Sequence, residues 1–355
     1  MATLSKSKRA AQALAERKAI ALAQSQMKSK WDDHDDDDET PVDRNFFISE
    51  MALYDLDRVE SALKVIEDKL EWTLSDTSSV DCMHYDGDAA LDHCAFMLGL
   101  DEKDEKGKIP FRRILDIGSG FSSTGRYLAS KYRADVTGVE LQRRHHELAE
   151  LITARNEDAW VREHVRSVNA DVLKVEAREL HQLPEDIEFE GFDHIVCLLC
   201  VMHFSKADRI NLFKRAYELL KPAGSMYIED FYHRKPMTKD ERTKLREIVS
   251  CSYLPNAIDY VEGAEDAEFD DALWEDVTMF WAPIVKQRAE EYRMKKDKKK
   301  ELEVFYDTVA DLFEAGNVGG VRLTIRKPHP NEGKTAEEIQ FEEKFGVTLK
   351  GRPTR

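Results

Sequence analysis

An acidic residue and two glycines occur together in the segment Asp116-Ile117-Gly118-Ser119-Gly120, directly after a short apolar run. Glycines let the backbone approach a ligand closely, and a helix that follows them would offer its N-terminus. A dinucleotide site requires a third glycine three positions after Gly120, where this chain has Ser123. The Asp116 carboxylate would also repel a pyrophosphate. The segment therefore favours a ligand that is cationic and lacks phosphates.

Two further acidic residues follow the next two apolar runs. Glu140 comes after Gly138-Val139, and Asp171 comes after Asn169-Ala170. Glu140 could accept hydrogen bonds from both hydroxyls of a ribose, and Asp171 could accept one from the amino group of an adenine. One such acid alone is more often a surface residue. Three acids at successive strand ends, behind one glycine-rich segment, favour a common binding site.

These residues belong to a predicted alternation of strands and helices. Strands are predicted at residues 113–117, 135–139, 165–168, 194–201 and 225–229, and helices at 124–131, 143–155 and 206–220. Strict alternation implies right-handed crossovers and a parallel sheet that is covered on both faces. The predicted fold class is therefore α/β, with a doubly wound sheet from about Pro110. Ligands bind such sheets at the carboxyl ends of the strands, where the three acids are placed.

Helical and polar segments flank this predicted sheet. Apolar residues recur at helical spacing from about residue 46 to Leu70, and residues 86–98 predict another helix. The predicted organisation is a flexible charged arm at 1–45, a helical segment at 46–109, a core domain at 110–327 and a polar tail at 328–355. The remaining elements are interpreted as an acidic insert at about 257–276, one amphipathic helix at 285–315, a final strand at 321–326 and a short helix near 336–345.

The composition argues against several classes of function. The 355 residues carry 53 Lys+Arg against 70 Asp+Glu, a net charge of -17, whereas nucleic-acid binding needs a clustered cationic face. No run approaches the ~18 consecutive apolar residues of a membrane span, and residues 1–30 hold no apolar core of a secretory signal. Five scattered cysteines do not form a disulfide framework. We therefore expect a cytoplasmic protein without a membrane span.

Two charged or metal-like patterns are interpreted as structural. Residues 1–30 are basic and residues 32–39 are rich in aspartate, but this run lacks the turn-forming glycine of a calcium loop. We interpret them as a solvated arm and linker, with an organelle transit peptide at residues 1–30 as the less favoured alternative. Cys197 and Cys200 are predicted to point to opposite faces of a buried strand, so we expect neither metal binding nor redox chemistry there.

Five motifs mark the strand ends and turns of the predicted core. They are Leu115-Asp116-Ile117-Gly118-Ser119-Gly120, Gly138-Val139-Glu140, Asn169-Ala170-Asp171, Phe192-Asp193 and Leu220-Lys221-Pro222-Ala223-Gly224. Together they span about residues 113–230, and the set resembles that of the class I S-adenosylmethionine-dependent methyltransferases. The resemblance implies a seven-stranded Rossmann-like sheet whose last strand is antiparallel. Ala223 replaces a glycine that the family often has, and we expect the replacement to be harmless in a turn.

The resemblance also implies a cofactor, S-adenosyl-L-methionine, and the residues that bind it. Glu140 would recognise the ribose, and Asp171 the adenine. The full set of cofactor-binding residues implied in this way is Asp116, Gly118, Ser119, Gly120, Glu140, Leu141, Asp171, Val172 and Leu198.

Three local features resemble a narrower group within that superfamily. They are Met83-His84-Tyr85 before the core, Val201-Met202-His203 after the fourth strand, and Ile228-Glu229-Asp230-Phe231-Tyr232 at the end of the fifth. They are similar to features of small-molecule methyltransferases that act on amines, such as phosphoethanolamine and sarcosine or dimethylglycine N-methyltransferases. The likeness implies that the helical segment at 46–109 acts as a lid over the substrate.

Methyl transfer from a sulfonium is an in-line displacement, so catalysis depends mainly on holding donor and acceptor in alignment. An amine acceptor must first lose a proton, and we predict His203 as the general base, with Tyr85 as a catalytic lid residue that hydrogen-bonds to it. Aromatic faces hold methylated cations, and a carboxylate pairs with a cationic substrate. The predicted substrate-binding residues are His84, Asp230, Tyr232, Phe280 and Trp281.

Three hypotheses about function stay open. N-methylation of a small-molecule amine is the leading one, and S-methylation of a thioether or thiol is the second. A thioether has no proton to lose, so His203 would then orient the acceptor. The third is a non-catalytic partner subunit that binds the cofactor, with the charged arm and a lysine-rich helix as interaction surfaces. We expect a monomer or homodimer.

Overall fold

The computed structural model describes residues 51–104, 106–181, 189–332 and 334. The predicted charged arm, the start of the helical segment at residues 46–50 and the predicted helix near residues 336–345 lie outside the described residues. Of the helices in the described ranges, none combines the length and the apolar character needed to cross a bilayer.

A seven-stranded sheet forms the centre of the fold. Its strands are β1 (Arg113–Ile117), β2 (Asp135–Glu140), β3 (Val165–Asn169), β4 (Phe192–Leu198), β5 (Leu220–His233), β6 (Asp270–Asp276) and β7 (Val318–Arg326). The strands are arranged in the order β3-β2-β1-β4-β5-β7-β6. β1 to β5 run parallel, and β7 lies antiparallel between β5 and β6. The predicted doubly wound sheet with an antiparallel last strand is confirmed.

Helices precede the sheet and join its strands. Before β1 lie a 3-10 turn (Ala52–Tyr54), α1 (Leu56–Val65), α2 (Leu74–Asp81) and α3 (Gly87–Met97). The parallel strands are joined by α4 (Ser123–Tyr132), α5 (Arg143–Ala154), α6 (Ala159–His164), α7 (Ala177–His181), a second 3-10 turn (Val201–His203) and α8 (Lys206–Leu219). After β5 come α9 (Lys239–Ile248), α10 (Ala257–Asp266), α11 (Thr278–Arg293) and α12 (Lys300–Glu314).

The helices before β1 pack on the face of the sheet that carries α4 and α5. Val59 and Leu63 of α1, Trp72 and Val80 form one buried cluster with Phe121 of the loop after β1. The Trp72 indole donates to the carbonyl of Ile66 at 3.0 Å, which holds the turn between α1 and α2. Helical character before the sheet was therefore correctly predicted, although Leu70 lies outside the pattern and is exposed.

The acidic residues 257–276 are not an insert, because they form helix α10 and edge strand β6 of the sheet itself. Asn256 caps α10: its side chain accepts from the backbone of Asp259, whose carboxylate accepts from Asn256. The acids of α10 lie on its exposed face, while Tyr260 is buried and donates to the carbonyl of Phe231 at 3.1 Å. The acidic composition of this segment concealed an amphipathic helix.

Two other predicted elements have bounds that differ from the prediction. The strand predicted at 194–201 ends at Leu198, because Leu199 has φ 51 and turns the chain into the second 3-10 turn. The helix predicted at 285–315 is two helices, α11 and α12, that pack against each other. The break falls in the segment 294–299, which is rich in lysine and carries the exposed Met294. A run of charges interrupts the apolar stripe that each helix buries.

The turn before the paired part of β5 places Ala223 at φ 65, in the left-handed region. The expectation that this alanine is harmless is therefore wrong, because a side chain in that region costs roughly 1–2 kcal/mol per residue. Glycine would adopt the same conformation without that cost.

We predict that Ala223→Gly stabilises the protein. The gain should be about 0.5–1 kcal/mol, since relief of the backbone strain exceeds the extra entropy of an unfolded glycine. Urea denaturation measures the free energy of unfolding. Ala310→Gly in the middle of α12 is the matched control and should destabilise by about 1 kcal/mol. Equal losses in both variants would contradict the strain at Ala223.

Candidate active site

Two adjoining cavities open at the carboxyl ends of the parallel strands. Cavity A has a volume of about 750 Å³ and is lined by the glycine-rich segment, by Asp81 and residues 83–85, and by one residue each of α11 and α12. Cavity B has a volume of about 560 Å³ and is lined by the ends of β1, β2 and β3. The two share Tyr54, Gly118, Leu199 and His203. These four residues therefore form the junction of one continuous site.

The glycine-rich segment has a backbone that requires glycine. Gly118 has φ 70 and Gly120 has φ 52, both in the left-handed region. A Cβ on Gly118 would collide with the sulfur of Cys200. The amide of Gly118 donates to the carbonyl of Val139 at 3.0 Å, so the segment is held against the end of β2. Backbone atoms rather than side chains thus form this wall of the site.

Asp116 lies at the end of β1 and lines cavity A with only 3% of its surface exposed. Its Oδ2 atom is buried and has no hydrogen-bond partner within the described part of the chain. Burial and the nearby charge of Glu140 raise the pKa of Asp116 to about 7. A buried carboxylate without a partner is costly, so this oxygen is suited to a donor or a cation that a ligand brings.

Glu140 ends β2 and lines cavity B. Its Oε2 accepts from the amide of Gly120 at 2.8 Å, and its Oε1 accepts from the amide of Gln142 at 2.7 Å. His145 lies 3.7 Å from the same carboxylate. Each carboxylate oxygen has a second lone pair, so the fixed Glu140 can still accept from two hydroxyls of a ligand.

Asp171 and its neighbours form the far end of cavity B. The Asp171 Oδ1 atom accepts from the amide of Leu173 at 3.1 Å, and Lys174 lies 3.2 Å from Oδ2. Leu141 and Val172 supply apolar walls there. The structure therefore brings Glu140, Leu141, Asp171 and Val172 together in cavity B, as predicted. It places the other predicted cofactor residues, Asp116, Ser119, Gly120 and Leu198, in cavity A, with Gly118 in both.

His203 ends the second 3-10 turn and lines both cavities. Its Nδ1 atom lies 2.7 Å from the carbonyl oxygen of Ser250. A carbonyl only accepts, so Nδ1 must carry a hydrogen and donate it. In the neutral ring the basic lone pair is then on Nε2. The fold thus selects one tautomer and one ring orientation for His203.

Asp230 was predicted to contact the substrate, but the structure does not place it on either cavity. Its carboxylate accepts from the amides of Met202 at 3.1 Å and Phe231 at 2.7 Å, and its side chain is fully buried. Burial raises the pKa of Asp230 to about 7. Strand β5 directs this side chain back toward the turn that carries His203, so Asp230 supports that turn.

Tyr85 lines cavity A together with His203, and Trp281 and Phe231 pack against it at ring distances of 4.9 and 5.9 Å. Burial raises the pKa of Tyr85 to about 12, so its phenol remains protonated near neutral pH. His84 lines the same cavity, and burial lowers its pKa. The predicted lid motif therefore reaches the site.

Three predicted aromatic contacts lie away from both cavities. The Tyr232 hydroxyl donates to Asp276 of β6 at 2.8 Å. Phe280 is 47% exposed beside the guanidinium of Arg322. Trp281 is fully buried behind Tyr85, against the backbone of Gly320. An aromatic residue near a strand end can face the site, the core or solvent, and packing decides which.

The cysteine prediction is also corrected. Cys200 follows the end of β4, so strand alternation does not apply to it. Its thiol approaches Cys197, and the contact raises the pKa of the Cys197 thiol. Cys200 itself lines cavity B next to Gly118. Among the described residues, no three His, Cys, Asp or Glu side chains come close enough together to hold a metal ion.

Several lining residues were not predicted from the sequence. Arg288 of α11 and Phe305 of α12 come from elements that are distant from the motifs along the chain. Tyr54 and Asp81 precede the recognisable features, although Asp81 is only two positions before Met83. The spacing to Met83-His84-Tyr85 was the one available signal for Asp81.

A family model described as a methyltransferase domain matches residues 114–224. Residues 114–224 form a methyltransferase domain. The predicted resemblance to class I S-adenosylmethionine-dependent methyltransferases is therefore confirmed for this core, and the seven-stranded sheet with an antiparallel last strand agrees with it.

Known proteins that resemble this chain include several methyltransferases. It is 22% identical to phosphoethanolamine N-methyltransferase of Plasmodium falciparum over 173 residues, 49% of this chain and 59% of that protein. Phosphoethanolamine N-methyltransferase 2 of Haemonchus contortus superposes with a TM-score of 0.62 at 19% identity, over 81% of this chain and 61% of that chain. A putative sarcosine dimethylglycine methyltransferase of Galdieria sulphuraria gives 0.54 at 15% identity, over 68% and 85%.

These likenesses show the fold of the methyltransferase domain. The chain spans about three fifths of the length of the Plasmodium falciparum protein and of the Haemonchus contortus structure. The Haemonchus contortus structure contains phosphomonomethylethanolamine and S-adenosylhomocysteine.

A buried ion pair connects the methyltransferase domain to the helices that precede it. Asp81 ends α2 and lines cavity A, and its Oδ2 accepts from Arg126 of α4 at 2.6 Å. The two side chains are 3% and 0% exposed. Arg126 also donates to Thr153 at 3.1 Å. The pair fixes residues 81–85 against the domain that carries the glycine-rich segment.

We predict that Asp81→Asn destabilises the protein by about 3 kcal/mol or more, because it leaves the buried charge of Arg126 without compensation. Urea denaturation measures the loss. Asp240→Asn, which removes the exposed pair with Lys244, is the control and should cost less than about 1 kcal/mol. Similar losses in the two variants would contradict a structural role for the Asp81–Arg126 pair.

Proposed function

We propose that this protein transfers a methyl group from S-adenosyl-L-methionine to a small-molecule acceptor, and that the acceptor atom is an amine nitrogen. The observation that carries the proposal is the placement of His203. It lies at the junction of cavities A and B, with Nδ1 committed to the carbonyl of Ser250 and the lone pair therefore on Nε2. A base at that junction can reach an acceptor in one cavity and a donor that extends from the other.

The residues of the two cavities fit the cofactor. The amide-anchored Glu140 would hold the ribose, and Asp171 the adenine between the apolar walls of cavity B. Asp116, with its buried Oδ2 atom, would accept from the cationic end of the cofactor beside the close-approaching backbone at Gly118. When bound, S-adenosyl-L-methionine supplies an electrophilic methyl group on a sulfonium.

The protein's own side chains align the acceptor, exclude water and accept a proton. His203 takes the ammonium proton of the acceptor at Nε2 and becomes a cation that the Ser250 carbonyl stabilises through Nδ1. Tyr85 keeps its proton and closes the same cavity. Met83 and Phe231 add apolar wall around the reacting atoms, which excludes water. We propose that the predicted helical segment at residues 46–109 acts as the lid over this chamber.

S-methylation of a thioether is the second candidate, and the lining of cavity A favours it. Met51, Met83 and Met202 surround the chamber with polarisable, uncharged surface. A thioether needs no base, so His203 would orient it instead. A non-catalytic subunit would have no need for the fixed tautomer of His203.

We predict that His203→Gln lowers kcat by about 10²- to 10⁴-fold for amine acceptors, the usual contribution of a general base. Release of S-adenosylhomocysteine against a panel of amines, amino acids, phosphoethanolamine and thioethers measures turnover. Cofactor affinity by calorimetry should stay within a few-fold of wild type.

His329→Gln is the control, because His329 is exposed and lines neither cavity. Near-normal turnover of His203→Gln on amines would remove the general base. Turnover by the wild type on thioethers alone would replace N-methylation with S-methylation.

We further predict that the affinity for S-adenosyl-L-methionine rises with pH. Asp116 has a pKa of about 7 when no ligand is bound, and a cationic ligand favours its ionised form. Below that pKa, binding must first remove a proton from Asp116, so Kd should fall by up to about tenfold per pH unit and level off above pH 8. Calorimetry from pH 5.5 to about 8.5 tests this. Asp116→Asn should bind more weakly and without this pH dependence; an unchanged slope would show that another group titrates.

A further inference from the structure

A third cavity adjoins cavity A on the side of α11. Cavity C has a volume of about 830 Å³ and shares Leu53, Met83, His84 and Arg288 with cavity A. Its walls come from α1, α2, α11 and α12, which lie outside residues 114–224. Arg288 therefore lies between the two cavities and borders both.

Cavity C is basic in a chain whose net charge is -17. Three cations line it: Arg58, Arg288 and Lys295. The one acid in the lining is Glu291, whose carboxylate accepts from the side-chain amide of Gln287 at 2.7 Å. Within the described residues, no carboxylate oxygen lies within 4.0 Å of a side-chain nitrogen of these three cations, and the Asp55 carboxylate accepts from the backbone amide of Arg58 at 3.3 Å.

The two arginines keep donors for a ligand. The Arg288 guanidinium lies 4.9 Å from the centre of the Tyr85 ring and makes one long contact of 3.5 Å with the carbonyl of His84. Arg58 donates from Nη2 to the carbonyl of Leu53 at 3.3 Å, and its Nε is buried without a partner among the described residues. A guanidinium has five N–H groups, so most of these donors remain available.

We propose that Arg288, together with Arg58 and Lys295, binds an oxyanion group of the methyl acceptor, a carboxylate or a phosphate. This inference rests on the proposed function of cavity A. The acceptor spans the shared wall of the two cavities, with the methylated atom toward His203 and the anionic group toward Arg288. The stacked Tyr85 ring fixes the guanidinium and so orients its N–H fork toward the ligand.

The charges around the site agree with this class of acceptor. A wall of three cations repels an acceptor that carries only an ammonium group, whereas an acceptor with both an amine and an oxyanion is attracted. Burial lowers the pKa of His84, so the attraction for an oxyanion does not depend on a charge at this histidine. The same anionic group suits a thioether acceptor, so the inference holds for either atom that receives the methyl group.

The test uses inorganic phosphate and acetate as probes, with the full chain saturated with S-adenosylhomocysteine and ionic strength held constant with sodium chloride. Calorimetry measures the affinity for each probe. We expect the wild type to bind at least one probe, and Arg288→Gln to weaken it by about 10- to 100-fold, as expected when a charge-assisted hydrogen-bonded pair is removed. Preferential binding of acetate indicates a carboxylate acceptor, and preferential binding of phosphate indicates a phosphorylated one.

Lys286→Gln is the matched control, because Lys286 is an exposed cation on the same helix that lines none of the three cavities. It should leave both affinities unchanged, and Arg288→Lys should recover part of the binding, which guards against misfolding of Arg288→Gln. Absence of binding by the wild type, or equal binding by Arg288→Gln, would overturn the inference. If the wild-type protein does not bind S-adenosylhomocysteine at all, the result counts against the proposed function instead.

Discussion

The carboxylate of Glu140 joins the ends of β1 and β2 by accepting from the amides of Gly120 and Gln142. The glycine-rich backbone can reach it only because Gly118 and Gly120 adopt left-handed conformations. The same carboxylate contributes to the raised pKa of Asp116. This carboxylate therefore holds the loop and forms part of the wall of cavity B, and it adds to the effect of burial in raising the pKa of Asp116.

The groups that face the cavities are held by groups that do not. The Asp230 carboxylate accepts from the amide of Met202 in the turn that carries His203, and the carbonyl of Ser250 fixes the ring of His203. Arg126 is fully buried and holds Asp81 at the end of α2. Each support is a buried polar contact, and such contacts are costly to leave unmade. This cost is what makes the orientation of the site specific.

Different parts of the chain line the three cavities. The methyltransferase domain at residues 114–224 supplies most of cavity B, whereas cavity C and about half of the lining of cavity A come from residues outside that domain. Residues outside the domain thus contribute to both cavity A and cavity C. The likeness to the Haemonchus contortus structure covers 81% of this chain, but at 19% identity it shows the fold alone. Cations concentrated in cavity C contrast with the acidic chain as a whole.

Local rules were sufficient for the centre of the fold. Apolar runs and their spacing gave β1 at its observed bounds, and the residues after each strand gave Gly118, Glu140, Asp171 and His203, because parallel strands bring their carboxyl ends to one edge. Chemistry that depends on position in a parallel sheet is therefore encoded in short stretches of sequence.

Tertiary packing decided the rest. The sequence could not show which of four predicted residues face the site: Asp230, Tyr232, Phe280 and Trp281. Strand or helix periodicity assigns each residue to one face of its element, but it does not say what packs against that face. The acidic helix α10 was hidden by its composition, since its four acids alternate along the sequence with its four buried positions. Arg288 reaches His84 across about 200 residues of chain, a contact that no local pattern specifies. The sequence by itself determined the glycine-rich and acidic edge of the sheet, because those residues directly follow the strands, whereas long-range packing decided which side chains from distant elements complete the cavities.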